Sequence, residues 1–192
     1  EDGSIDHKER DKKYREEAKD KEVKGWAPLY HLNGHQCLYK EENTIPQSLK
    51  NSLKNFLINI AIRDIRKNKI IHNSMLIHVS RFTRVQQTVA AQIKEYINDI
   101  KQTVLYGQDQ KEKENIKKEF EIIWINDVKK NFNIEKYPDS KKIKFELVWN
   151  KILETINSEA NPLDIVQINS PSQDVLNYDE HKKGWNVIVV GG

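Results

Sequence analysis

The chain has 192 residues, 37% of them hydrophobic and 32% charged, enough for one domain with a sizeable core and short for two. No run approaches the 18 or so consecutive apolar residues that a membrane-spanning helix needs, and 32 Lys and Arg against 29 Asp and Glu leave a net charge of only +3. That balance neither demands nor forbids nucleic acid, because affinity for phosphates depends on how charge clusters.

Residues 1–24 hold eight basic and nine acidic side chains with no apolar stretch. They read as a charged helix or tether that cannot form its own core, and no secretory signal is expected in them. Cys37 is the single cysteine, so no internal disulfide is expected and cytoplasmic residence is the simplest reading. From Gly25 to Thr44 the pattern turns irregular, and loop with short turns is expected there.

Helix signals begin at IPQSLKNSLKNFLINIAIRDIRKN. Pro46 suits the first turn, and Leu49, Leu53, Phe56, Leu57 and Ile60 recur at spacings of three and four. Ile58, Ile62 and Ile65 widen the apolar surface beyond one stripe, which predicts a helix sandwiched between partners. SMLIHVS, 74–80, reads as a buried strand. The following RFTRVQQTVAAQIKEYINDI places Val85, Val89, Ile93, Tyr96 and Ile100 in helical register, the opening of a parallel α/β crossover. A further helix is predicted over about 110–132, with Ile116, Phe120, Ile123, Trp124 and Val128 on one face. Another is marked by Phe145, Val148, Trp149, Ile152 and Ile156. DIVQINS, 164–170, and WNVIVVGG, 185–192, read as strands covered on both faces. The expected fold is therefore α/β and three-layered, a mainly parallel sheet flanked by helices.

Functional groups in open parallel sheets gather at the carboxyl ends of the strands. That rule selects Ser80, Arg81, Thr83 and Arg84 after the first strand, Asn169, Ser170 and Ser172 after the second, and Gly191 and Gly192 after the third. Two arginines beside a helix N-terminus suit a phosphate or carboxylate, because guanidinium and backbone N–H groups both favour an anion. The bland alternative is that Arg81 and Arg84 pair with nearby acids and Thr83 only caps the helix. Neither GxxxxGK[ST] nor GxGxxG occurs, so the chain is not expected to hydrolyse a nucleotide alone.

His31, His35 and Cys37 form H-x3-H-x-C, but a structural zinc site wants four ligands and no second cluster supplies the fourth. No metal site is expected. His78, inside the first strand, reads as a core histidine. Asp64, Asp127, Asp164, Asp174, Asp179 and Glu180 make no compact nuclease pattern, and the small lysine groups, Lys129 with Lys130, Lys141, Lys142 and Lys144, and Lys182 with Lys183, look like ordinary surface.

SMLIHVSRFTRVQQTVAAQIKEYI, preceded by IPQSLKNSLKNFLI and followed by VQINSPSQDVLNY and GWNVIVVGG, resembles the Z1 domain over about residues 26–192. That family occurs in large bacterial proteins with superfamily-2-type helicase or ATPase modules, often in restriction-like and phage-defence settings. The resemblance implies most of the second RecA-like lobe of a DNA-directed ATPase, with Ser80, Arg81, Thr83 and Arg84 at its first functional loop. Asn169 and Ser170 would face nucleic acid or the other lobe. Gly191 and Gly192 would open a segment like N-x-L-S-R-G-L-T-L-E-G-L, so an excised piece of a longer polypeptide is expected. ATP and Mg2+ would belong to the full-length parent, with DNA and the remaining lobe as partners. The 103–160 region would be a helical stretch peculiar to these proteins. The rival expectation is a non-catalytic interaction or scaffold domain of a larger nucleic-acid-processing protein.

Overall fold

The computed structural model describes residues 30–31, 45–67, 74–79, 83–129, 142–157, 163–168 and 185–191. The expected N-terminal helix or tether, 1–24, lies outside them.

Helix α1, Gln47–Arg66, starts where Pro46 holds φ at −63° and offers its carbonyl to Leu49 N and Lys50 N, both at 3.1 Å. Leu49, Leu53, Phe56, Leu57, Ile58, Ile60, Ala61 and Ile62 are all buried, an arc wider than one stripe. Each large one contributes about 1.5–3 kcal/mol by leaving water. Strand β2, Ser74–Val79, and helix α2, Thr83–Lys101, follow as the crossover pattern requires. Asp109 caps helix α3, Gln110–Ile123, its Oδ1 accepting from Lys111 N at 3.0 Å and Glu112 N at 3.3 Å. Helix α4, Phe145–Ile156, leads to strand β3, Leu163–Ile168, and strand β4, Trp185–Gly191.

Three local features depart from the sequence reading. Tyr30–His31 form a two-residue strand, β1, within the segment expected to be loop. The 110–132 helix ends as α-helix at Ile123 and widens into a π-helical turn over Trp124–Val128. Phe120, Trp124 and Val128 are spaced by four, and the extra residue in a π turn offsets the drift an α-helix would impose, so all three stay buried. A second π turn, Gln102–Tyr106, closes α2 at Gly107, where a Cβ would stand 2.5 Å from the Thr103 carbonyl oxygen.

Among the described residues the strands are parallel in the order β1-β2-β4-β3. The steps β1 to β2 and β2 to β3 advance across the sheet in the same direction, so right-handed crossovers put α1 and α2–α4 on one face. One apolar cluster accordingly joins residues of all four helices to Met75, Ile77 and Val79 of β2 and Trp185, Val187 and Val189 of β4. Leu76, His78, Ile188 and Val190, on the other face, are equally buried. A parallel sheet buried on both sides and flanked by four helices is the three-layer α/β arrangement expected. β3, with one strand neighbour among the described residues, is only half-buried.

At the C-terminal end of α1, Asp64 is half-buried near Arg63, Lys151 and Glu154. Desolvation is the largest influence and raises its carboxyl above the ordinary 3.8, although Arg63 and Lys151 pull the other way. Between 3.8 and that raised value the folded state holds more protons than the unfolded chain, so stability falls as pH rises through the window and stays lower above it. Asp64→Asn is therefore expected to be more stable than the parent at pH 7, with the gap closing below pH 3.8. Urea midpoints at pH 7, 5 and 3.5 check this, and a constant gap would contradict it.

Candidate functional site

The register levels the carboxyl ends of the three longer strands. Val79 pairs with Gly191, and His78 pairs with Val190, which in turn pairs with Ile168. The chain leaving β2 toward α2, the chain leaving β3 and the chain leaving β4 therefore depart from one edge of the sheet. This is the edge at which open α/β sheets bind ligands.

Of the residues selected from the sequence, Thr83 and Arg84 are the first two of α2 and both are exposed. The first turn of α2 contains no acidic side chain, which leaves its N-terminal field and the Arg84 charge of one sign. Among the described residues Arg84 has no ion pair; its carbonyl accepts the Thr88 hydroxyl at 2.8 Å. Gly191 is itself the last residue of β4, buried beside Val79. Ser80, Arg81, Asn169, Ser170, Ser172 and Gly192 lie outside the described residues.

The sequence reading missed Gln86. It is fully buried in the first turn and a half of α2, three residues beyond Thr83. The signal was available in the spacing of Gln86, Ala90 and Ile93, which puts the amide on the buried arc, but a glutamine beside another glutamine reads as surface.

The β1 register puts His31 opposite His78, and His78 is fully buried. His35 and Cys37 lie outside the described residues. Among the described residues no three His, Cys, Asp or Glu side chains gather as metal ligands, and no helix is long and apolar enough to cross a membrane. Asp64, Asp127 and Asp164 sit on α1, on the Trp124–Val128 π turn and on β3.

Comparisons with curated proteins and with solved structures found no match. Residues 48–192, from the second residue of α1 to Gly192, match the Z1 domain, a shorter span than the 26–192 read from the sequence. The chain belongs to the Z1 domain family.

Proposed function

We propose that this chain supplies part of the second RecA-like lobe of a DNA-directed, helicase-like ATPase in a bacterial restriction or defence-type system, working in the cytoplasm. The observation that carries the reading is the common edge at which β2, β3 and β4 end, with Val79 beside Gly191. Thr83 and Arg84 open the helix that follows β2, Ile168 closes β3 and Gly191 closes β4, which supports a site at that common edge. Exposed Arg84 at an acid-free helix start suits a phosphate, and Z1 membership supports the helicase-associated class.

The sequence lacks a phosphate loop, so ATP is cradled by another lobe and reaches this one from across the cleft. In this reading Mg2+ travels with the ATP and belongs to the full-length parent. This chain's part is to present positive charge to the phosphates when the lobes close on DNA. An arginine so placed stabilises charge that develops on the transferring phosphoryl group.

The test is steady-state ATP hydrolysis, with and without DNA, by a polypeptide that also carries the phosphate-loop lobe. Arg81→Ala and Arg84→Ala, shown to be folded by circular dichroism, are each expected to lower DNA-stimulated turnover at least tenfold, roughly 1.4 kcal/mol of transition-state stabilisation. Strong turnover unchanged by either substitution removes the arginine assignment. No turnover in the folded parent across DNA and divalent-metal conditions favours the scaffold reading instead.

A further inference from the structure

Ser74 and Asn186 are both fully buried, and among the described residues neither the Ser74 hydroxyl nor either polar atom of the Asn186 amide has a hydrogen-bond partner. They are register partners on neighbouring strands, at the end of the sheet opposite the candidate site. Paired residues on adjacent parallel strands stand about 4.8 Å apart with side chains on the same face, within reach of one another by a change of rotamer or through one shared water. Buried polar groups without partners are uncommon enough that two side by side call for a reason.

The reason lies in what surrounds them. β2 reads Ser-Met-Leu-Ile-His-Val and β4 reads Trp-Asn-Val-Ile-Val-Val-Gly, with both faces buried. In a half-exposed strand a one-residue slip carries apolar side chains into water, which fixes register. Here Met75, Leu76 and Ile77 against Val187, Ile188 and Val189 would be buried in either phase, so burial says little about alignment. A slip of two residues leaves Ser74 opposite Ile188 and removes the polar neighbour from both groups. It also moves Val79 away from Gly191 by about 6–7 Å, two strand rises.

We propose that Ser74 and Asn186 are positioning residues. Their polar match sets the register of β2 on β4 and thereby holds Val79 level with Gly191 at the far edge. The importance of that alignment rests on the ATPase-lobe reading above, whereas the register claim can be read without ATP or DNA.

The experiment is oxidative cross-linking of the full chain in a Cys37→Ser background. Met75→Cys with Val187→Cys reports the observed register, and Met75→Cys with Val189→Cys reports a two-residue slip. Directly paired cysteines meet disulfide geometry, while an offset of two places the Cα atoms about 8 Å apart, beyond it. With Ser74 and Asn186 present, the first pair should cross-link at least tenfold more than the second. Ser74→Ala with Asn186→Leu should bring that ratio below threefold, and the exchange Ser74→Asn with Asn186→Ser should restore it. A general loss of packing would lower the melting temperature and leave the ratio unchanged. An unchanged ratio in the apolar pair, or failure of the exchange to restore it, overturns the proposal. If the apolar pair does not fold, the exchange alone decides, its retained ratio supporting the claim and its loss refuting it. Because no nucleotide is involved, register can fail while the arginine result stands, and the reverse.

Discussion

Phe120→Ala is expected to lower stability by about 3–5 kcal/mol, the cost of a large ring removed from a core that collapses only partly around the gap. Phe120 is fully buried on α3, its ring centroid 5.5 Å from that of Trp149 on α4 at an interplanar angle of 58°, and Trp149 stacks in turn on Phe145 at 6.3 Å. Phe120 and Ile123 are the two buried residues of α3, so the helix docks through a narrow contact and loses much of it with one ring. For a chain of this size each kcal/mol shifts the melting temperature by about 2–4 °C, and scanning calorimetry should show a drop of roughly 6–20 °C. Ile122→Ala, on an exposed position of the same helix, should stay within about 0.5 kcal/mol. A loss below 1 kcal/mol for Phe120→Ala would mean that α3 is held by something other than this contact.

Phe120 also illustrates what a sequence of this kind discloses. Its spacing from Ile116, Ile123, Trp124 and Val128 identifies the buried side of α3, because helical periodicity is a local property and the core rewards it wherever the partner lies. The fully buried runs of β2 and β4 are legible for the same reason, as is the crossover from β2 into α2. The π turn at Trp124–Val128 has no local signature. It follows from the need to keep three residues spaced by four against α1 and α4, and that need arises only when the helices meet. β1 is two residues long, and its pairing with β2 depends on a segment more than forty positions away. The candidate site divides along the same line. Strand ends can be placed from hydrophobic runs, so the edge was legible, whereas Val79 beside Gly191 is a matter of register, which the apolar stretches of β2 and β4 do not by themselves encode. Gln86 and Lys54 escaped notice because their residue types argue for water, and only tertiary packing overrules that.

Lys54 gives the second large effect. Its side chain is 3% exposed, with Nζ 3.0 Å from Glu119 Oε2 on α3, while Glu119 itself is 55% exposed. The ammonium also lies 6.0 Å from the centre of the Tyr96 ring on α2, over which Lys50 sits at 5.4 Å. Burial, and then the nearby Glu119 carboxylate, push the Tyr96 phenol well above its ordinary range, so the ring stays neutral and supplies only its π face. Among the described residues Glu119 is therefore the full negative charge that answers a buried cation. Removing one member of a buried pair costs about 3–5 kcal/mol, and the exposure of Glu119 to water brings Glu119→Leu down to roughly 2–3 kcal/mol. Lys54→Met removes the cation together with its desolvation cost and keeps the stem that packs between α1 and α2, so it should be neutral or stabilising. In the Lys54→Met background Glu119→Leu should then cost less than about 0.5 kcal/mol, because no charge is left unanswered. Urea denaturation of the four proteins in this cycle measures the coupling directly. Equal losses from Glu119→Leu in both backgrounds would show that Glu119 holds α3 by packing, with the ion pair a bystander.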